Sequence, residues 1–417
     1  MSPMHRNGLV ALAVITILVF ESMVPSMVAA SNPVLVYSGL NFPVSFRFTP
    51  DGRILFNERT TGNIRVIQSG IILPTPFATL AVATDGPEQG LLGMALDPDF
   101  ATNGFVYVYR TVYNGSYYHG LVTRLNATGN TGVNPVTIFD VTNPSPGNLY
   151  HNGGYLKFGP DRRLYAQVGE FQNQQLAQNL SSNAGKILRM NADGTVPIDN
   201  PYRGSLVYAY GIRNGFGMDF DPTNGNLIET EAGPASNDEI NVIVPKGNYG
   251  WPNCSGRCTN TAYVDPIATF TPVVTPTGIA YSSGGEYFFG EWTGASLNRL
   301  KLNSSGTVQS IEQISPIGAT NDGVLDVVLG PDQKIYFSTR SGIYSYDTSF
   351  PGGTGPPFAP NISSSLISFG LIAIGISATI IFVLFFQRRR KRSESRQPVC
   401  PTKSKALLTL RRLESQL

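Results

Sequence analysis

The sequence is poor in the two side chains that most often carry protein chemistry, because only three of its 417 residues are cysteine and three are histidine. Cys254 and Cys258 have no other cysteine or histidine close in the chain, which disfavours a metal site built on this pair. A small disulfide loop is the simplest interpretation of their spacing. Sustained helical patterns are also scarce, so an all-helical fold is excluded.

A surplus of charge is missing as well, with 30 basic residues against 28 acidic ones. Residues 387–417 hold ten basic and two acidic residues, and residues 1–30 hold one of each. The 19 basic and 25 acidic residues that remain give residues 31–386 a net charge of −6. This charge excludes nucleic acid as a partner of the central region, and the basic residues after 387 are expected to meet anionic lipid.

The N-terminus has the three parts of a secretory signal peptide. His5 and Arg6 precede an apolar run from Gly8 to Phe20, and small residues lead up to Ala30. An uncleaved anchor is the alternative, but the run is too short to span a bilayer comfortably. We therefore expect residues 1–30 to be removed after Ala30.

The C-terminal end predicts a membrane anchor. Leu366 to Phe386 is a run of 21 residues without a charge, and five basic residues, Arg388 to Arg392, follow almost at once. Residues 350–365, rich in Pro, Gly and Ser, form a stalk before it, and residues 387–417 form a basic cytoplasmic tail. These ends predict a cell-membrane protein with a single pass, whose main domain lies outside the cell.

A repeat fills the region between the two ends. Each copy contains an apolar residue, a turn of the Pro-Asp type, a short alternating strand and a second strand. The copies begin at Phe48, Leu96, Phe158, Phe220, Gly278 and Leu329. This length suits a four-stranded sheet with its loops, and six such units close into a ring. Residues 31–349 are therefore predicted to form an all-β, six-bladed β-propeller.

Binding sites of propellers lie at one mouth of the central channel and are built from loops of several blades. After removal of the signal peptide, only His119 and His151 remain as histidines. His119 lies in a polar and aromatic insertion, which favours a surface position. His151 directly precedes a predicted core strand, where a loop residue would project into the mouth, although a single histidine is more often structural than catalytic.

The run from His151 to Asp161 resembles the His-x-x-Gly-x-Leu-x-Phe-Gly-Pro-Asp signature of PQQ-dependent sugar dehydrogenases. This is the group of soluble glucose dehydrogenase and aldose sugar dehydrogenase, also called glucose/sorbosone dehydrogenases. Four further strings agree in the same order: Gly90–Phe100, Ala184–Arg189, Tyr210–Asn214 and Glu231–Pro234. The resemblance covers the whole repeat region and implies the same six-bladed fold.

The resemblance also implies roles for single residues. His151 matches the general base that takes the proton of the sugar's anomeric hydroxyl while hydride passes to the quinone. Arg213 and Asn214 match residues that hold PQQ, and Glu88 stands where the family usually has a Gln beside the cofactor. An arginine suits a quinone that carries three carboxylates.

The same resemblance implies two calcium sites. Gly233 and Pro234 match residues whose main-chain carbonyls bind Ca²⁺ under PQQ, where the ion would polarise the quinone. Glu239 and Tyr249 match a second, structural Ca²⁺ site. Ordinary loop packing is the alternative for all four residues.

Other positions depart from the family pattern. Glu170 stands where an Asp is usual, and Thr293 stands where the family has a cofactor-binding Lys. Gly323 and Leu325 replace two cofactor-binding arginines, and Arg340 would replace them only with a different geometry. Each missing cation removes a charge-assisted contact of about 1.5–3 kcal/mol. Either PQQ then binds more weakly or the cofactor is a different one.

Two functions follow from this pattern. The first is a surface quinoprotein that oxidises an aldose with PQQ and Ca²⁺ and passes electrons to a respiratory acceptor. The second is a non-catalytic propeller that binds glycans or proteins. The base and the calcium loop favour the enzyme, whereas the missing cations favour the binding module.

Overall fold

The computed structural model of the chain describes residues 32–145, 147–316 and 322–349. Strands make up most of its regular structure, because short β-branched and aromatic runs alternate with turns of Gly, Pro, Asn and Asp. The strands are β1 (Val34–Ser38), β2 (Pro43–Phe48), β3 (Ile54–Glu58), β4 (Asn63–Gln68), β5 (Ile71–Ile72), β6 (Ala78–Thr79), β7 (Leu91–Leu96), β8 (Phe105–Tyr113), β9 (Tyr118–Thr128), β10 (Thr131–Thr142), β11 (Gly153–Phe158), β12 (Leu164–Val168), β13 (Lys186–Met190), β14 (Val207–Tyr210), β15 (Gly215–Phe220), β16 (Leu227–Glu231), β17 (Asp238–Ile243), β18 (Ala268–Phe270), β19 (Pro276–Tyr281), β20 (Glu286–Glu291), β21 (Ser296–Leu302), β22 (Val308–Pro316), β23 (Val327–Leu329), β24 (Ile335–Ser338) and β25 (Gly342–Tyr346). The one-turn helices α1 (Phe100–Asn103) and α2 (Gln175–Gln178) lie in connections.

The described strands form six antiparallel sheets, one for each repeat copy, so the predicted six-bladed propeller is confirmed. Blade 1 contains β2 to β5, with β6 paired to β4, and blades 2 to 5 contain four consecutive strands each. Blade 6 consists of β23, β24, β25 and β1, in which Val34 of β1 lies opposite Ser345 of β25. The first strand thus completes the last blade and closes the ring.

Each blade packs against both of its neighbours, because successive side chains of a strand point to opposite faces. On β8, Val106 and Val108 pack in a cluster with blade 1, whereas Tyr107 and Tyr109 pack in a cluster with blade 3. Buried apolar side chains form one such cluster between each pair of adjacent blades. The core is therefore a ring of layers, and a site on its axis must be built from loops of several blades.

The innermost strands lie close together around the axis. A Cβ atom on Gly93 would lie 2.1 Å from the carbonyl oxygen of Gly154, so only a residue without a side chain fits between these strands. Asp326, next to β23, is fully buried and accepts hydrogen bonds from the Ser45 hydroxyl (3.0 Å) and the Tyr155 hydroxyl (3.2 Å). This carboxylate ties blade 6 to blades 1 and 3 and fixes how their loops meet.

The predicted localisation is wrong on this structure. Within the described ranges, no helix is both long and apolar enough to cross a membrane. The predicted signal peptide, stalk, transmembrane helix and cytoplasmic tail (residues 1–30, 350–365, 366–386 and 387–417) lie outside the described residues.

Candidate active site

Polar side chains gather at one end of the propeller, where the innermost strand of each blade begins and the second strand ends. His151 precedes β11 of blade 3, and Glu170 follows β12 of the same blade. Glu88 precedes β7 of blade 2, and Asn214 precedes β15 of blade 4. Loops of three blades therefore bring four polar residues to one mouth of the axis.

His151 lies on a backbone turn that few residues with a side chain adopt, with φ at 58°. Its carbonyl oxygen accepts a hydrogen bond from the Phe171 N–H (3.1 Å), and a Cβ on Gly169 would lie 2.1 Å from the same oxygen. Gly169 therefore allows the two loops to cross closely. The His151 side chain is 14 % exposed, so part of it remains accessible to solvent.

The two ring nitrogens of His151 have different surroundings. Nδ1 lies 2.9 Å from Oε1 of Glu170, whose carboxylate is buried. Because a carboxylate only accepts hydrogen bonds, Nδ1 carries the hydrogen and Nε2 carries the lone pair. No described residue hydrogen-bonds to Nε2. This tautomer can take a proton at Nε2 from a group in the mouth.

Glu88 joins the loops around His151. Its Oε2 accepts a hydrogen bond from the backbone N–H of His151 (2.7 Å) and another from the Asn214 amide (3.0 Å). The side-chain oxygen of Asn214 accepts from the Gly153 N–H (3.2 Å). The acidic residue in place of the family's Gln thus has a role, because it holds the backbone under the imidazole.

Arg213 extends the site towards blade 4. Its guanidinium donates to the Ala232 carbonyl (2.9 Å) and lies over the Trp251 ring, with 5.4 Å between Cζ and the ring centroid. Its backbone N–H donates to the Glu231 carboxylate. Nε of Arg213 and Nε1 of Trp251 are buried and have no partner in the described part of the chain. Two N–H donors are thus left for a ligand that offers oxygen acceptors.

A small cavity adjoins Arg213, with room for about one water molecule or one ion. Glu231 lines this cavity, and its Oε2 is buried without a partner among the described residues. The four residues predicted to bind calcium also line it: Gly233, Pro234, Glu239 and Tyr249. Cys254 forms part of the wall through the predicted disulfide to Cys258, which is confirmed.

Two of the predicted calcium residues already have partners. The Tyr249 hydroxyl donates to the Val242 carbonyl (2.7 Å) and accepts from the Val244 N–H (2.9 Å). Glu239 accepts from the Gly256 N–H (2.5 Å). In the ranges that the structure covers, no three His, Cys, Asp or Glu side chains cluster as metal ligands do, so calcium binding stays a prediction.

Buried carboxylates give this side of the site its electrostatic character. Burial raises the pKa of Glu229 to about 8 and that of Glu239 to about 7. Burial, with repulsion from these two carboxylates, raises the pKa of Glu231 well above its usual value. Some of these three carboxyl groups therefore stay protonated and neutral near pH 7, unless a bound cation compensates the charge of the ionised form.

The other side of the mouth, from blades 5, 6 and 1, is built by stacking. The Arg340 guanidinium carbon lies 4.5 Å from the Trp292 ring centroid and 5.7 Å from that of Phe42. Arg59 lies over Phe42 as well, at 4.6 Å, and donates to the carbonyls on either side of Glu88. Burial and the nearby Arg340 charge lower the pKa of Arg59.

All the predicted site residues thus lie at this mouth, in two adjoining groups, whereas the roles given to them remain predictions. His119 lies in β9 rather than in a loop, and its Nδ1 is 2.8 Å from Asp140. No role was expected for Glu170, Glu231 or Trp292. Glu170 had a signal in the sequence as a departure from the family's Asp, and Glu231 begins one of the strings that resemble the family. Trp292 had none, because its contact with Arg340 joins two blades.

Comparison with known proteins identifies the family. Residues 40–343 match the family model described as Glucose / Sorbosone dehydrogenase. The quinoprotein glucose dehydrogenase B of Acinetobacter calcoaceticus is 35 % identical over 261 residues. That match covers 55 % of this chain and 54 % of the relative, so it spans about half the length of that protein.

Solved structures agree over a larger part of the chain. The PQQ-bound aldose sugar dehydrogenase of Streptomyces coelicolor is 30 % identical, with a TM-score of 0.67, and the match covers 76 % of this chain and 98 % of that one. The soluble aldose sugar dehydrogenase of Escherichia coli, in its apo form, is 25 % identical, with a TM-score of 0.67 and coverage of 75 % and 98 %. The chain therefore belongs to the glucose/sorbosone dehydrogenase family.

Proposed function

We propose that this protein oxidises the C1 hydroxyl of an aldose to the lactone with PQQ as its electron acceptor. The observation that carries the proposal is the pair of His151 and Glu170. The carboxylate binds Nδ1 at 2.9 Å and leaves Nε2 as a base without a hydrogen-bond partner among the described residues. An alcohol oxidation of this kind requires such a base at the mouth, because the hydroxyl proton must leave as the hydride does.

The residues of the mouth fit a quinone with three carboxylates. Arg213 and Asn214 would hold it on the blade 4 side, where Nε of Arg213 and Nε1 of Trp251 are donors without an acceptor among the described residues. Charge-assisted hydrogen bonds of this type are the strong contacts for a carboxylate ligand. When bound, the quinone supplies a two-electron acceptor for the hydride.

The chain's own residues would then accept the proton of the sugar hydroxyl and keep the accepting base in position. As the C1–H bond breaks and its electron pair leaves with the hydride, the proton of the C1 hydroxyl passes to Nε2 of His151. Glu170 stabilises the imidazolium that results, because its carboxylate is buried and already bonded to Nδ1–H. Glu88 holds the His151 backbone, so the ring keeps its position through the transfer.

Calcium fits the adjoining cavity. The main-chain carbonyls of Gly233 and Pro234 and the unpartnered oxygen of Glu231 are the hard oxygen ligands that this cation prefers. Glu239 and Tyr249 line the same cavity, which has room for about one ion, so a second, structural ion at these two residues stays a prediction. A cation bound next to the buried carboxylates would also compensate their negative charge, which protonation neutralises when no cation is bound.

A second candidate is a propeller that binds a glycan or a protein without catalysis. Thr293, Gly323 and Leu325 favour it, because each stands where the resembling family has a cofactor-binding cation. The two candidates differ in one measurable property, which is whether the protein takes up the quinone and passes electrons from a sugar.

The experiment is to supply the full-length chain with PQQ and Ca²⁺ and to measure dye reduction with a panel of aldoses. We expect quinone binding at micromolar PQQ and turnover with at least one aldose. His151→Ala should lower kcat about 10²- to 10⁴-fold, whereas His119→Ala, the matched control in the outer part of blade 2, should leave it unchanged. Absence of quinone binding would favour the binding module, and activity that survives His151→Ala would overturn the assigned base.

A further inference from the structure

Arg340 is a cation held in place without an anionic partner. It is exposed, it stacks on Trp292 and Phe42, and no described carboxylate lies within ion-pair distance of its guanidinium. Arg189, at the far end of the propeller, differs in this respect, because it binds the carboxylates of Asp161 and Asp199 at 2.9 and 2.8 Å. The N–H donors of Arg340 are therefore free to bind a ligand in the mouth.

The position of the Trp292 ring under Arg340 depends on a glycine. A Cβ on Gly323 would lie 2.4 Å from Cε3 of Trp292, so the indole occupies space that any side chain at position 323 would need. The position of Trp292 thus requires a glycine at position 323. The indole in turn carries Arg340, which arrives from the loop between β24 and β25.

A second cation belongs to the same group. Arg59 lies over the Phe42 ring that Arg340 also contacts, so two guanidinium groups share one aromatic ring. Through its hydrogen bonds to the carbonyls of Pro87 and Gln89, Arg59 is connected to the loop that carries Glu88 and contacts His151. The two like charges repel each other, and the Glu88 carboxylate near Arg59 opposes this repulsion, whereas no described carboxylate pairs with Arg340.

We propose that Arg340, seated on Trp292 and Phe42 and assisted by Arg59, binds a carboxylate of the quinone cofactor. This inference rests on the proposed function and deepens it. Positions 293, 323 and 325 carry no cation in this chain. Arg340 and Arg59, which are held by stacking on aromatic rings, supply the positive charge on this side of the mouth instead. A planar guanidinium suits this task, since it stacks through its face and donates through its edge.

Arg340 would bind a carboxylate, and either a cofactor or an acidic sugar could supply one. The cofactor is favoured because Arg213, whose Nε also lacks an acceptor among the described residues, belongs to blade 4, two blades away from Arg340 around the ring. Cationic groups on different blades suit a flat ligand that carries several carboxylates at its edges. An acidic sugar carries one carboxylate and would use one of these groups.

The test measures the affinity of the full-length apo protein for PQQ by equilibrium dialysis. We expect Arg340→Gln to raise Kd about 10-fold or more, since one charge-assisted contact is lost, and Gly323→Ala to raise it by a smaller factor by displacing the indole. Arg203→Gln removes the same charge from an exposed position on the connection between β13 and β14, at the far end, and should leave Kd unchanged. A trimethyl ester of PQQ, which lacks the anionic carboxylates, should bind wild type and Arg340→Gln alike.

The outcomes distinguish a failure of the role proposed for Arg340 from a failure of the proposed function. If the wild type binds PQQ and Arg340→Gln binds it equally well, the role of Arg340 is refuted while the proposed function stands. If Arg340→Gln changes only the KM for a uronic acid, Arg340 binds the substrate and the inference is also wrong. If the wild type takes up no PQQ, the proposed function and the inference fail together.

Discussion

The two sides of the propeller mouth hold their polar groups by different means. On the hydrogen-bonded side, defined by His151, Glu170, Glu88 and Asn214, each side chain is fixed by contacts of 2.7 to 3.2 Å to a neighbouring loop. On the stacked side, defined by Phe42, Arg59, Trp292 and Arg340, guanidinium groups rest on aromatic rings at 4.5 to 5.7 Å. Blades 2 to 4 form the first side and blades 5, 6 and 1 form the second.

This difference matches two tasks. Proton transfer needs one nitrogen at a fixed position, and the paired contacts of His151 supply that position. Holding an anion needs charge whose N–H donors are not already used, and stacking provides charge in that form. We therefore expect substitutions of His151 and Glu170 on the hydrogen-bonded side to change the rate of oxidation, and substitutions on the stacked side to change cofactor affinity.

The largest effect in this comparison is expected for Glu170→Gln. The side-chain amide can donate to Nδ1, which would favour the tautomer that has its hydrogen on Nε2 and cannot accept a proton there. The loss of the carboxylate also destabilises the imidazolium. We expect kcat to fall about 100-fold or more, with the Kd for PQQ unchanged, as measured by dye reduction and equilibrium dialysis.

Glu170→Asp is the matched control, because it restores the residue type that the resembling family carries at this position. It should recover most of the activity. A Glu170→Gln variant with wild-type kcat would show that the carboxylate does not set the tautomer of His151.

Trp292→Ala tests the stacked side. This substitution removes the ring on which Arg340 stacks, so the guanidinium is no longer held in position while its charge remains. We expect the Kd for PQQ to rise about 5- to 10-fold and kcat at saturating PQQ to stay within about 2-fold of wild type. A fall in kcat with unchanged Kd would contradict the division between the two sides.

The smallest effect is expected for Glu88→Gln. An amide oxygen can accept the same two hydrogen bonds from His151 and Asn214 that the carboxylate accepts, without the charge. We expect kcat to change by about 3-fold or less, and Glu88→Ala, which removes the acceptor, to cost clearly more. Equal losses in both variants would mean that the negative charge itself is needed.

The fold was readable from local chemistry, whereas part of the site was not. Turns of the Pro-Asp type between alternating strands mark hairpins within a blade, and six of them indicate six blades. The pairing of β1 with β25 was not expected, because it joins segments about 310 residues apart and leaves no local pattern.

The same distinction holds in the mouth. His151, Arg213 and Gly233 stand in long strings that resemble the family, so their position could be predicted. Arg340 and Trp292 meet only because blades 5 and 6 are adjacent in the ring, and neither residue has a distinctive neighbour in sequence. Their contact could be found only in three dimensions.

The most direct test of the division of labour measures two quantities on two variants of the full-length chain. Kd for PQQ is measured by dialysis, and the rate of quinone reduction by an aldose is measured anaerobically in a single turnover at saturating PQQ and Ca²⁺. We predict that His151→Ala reduces the quinone at least about 100-fold more slowly with an unchanged Kd, and that Arg340→Gln binds PQQ about 10-fold more weakly with an unchanged rate. Loss of both quantities in both variants, or of neither, would contradict the account.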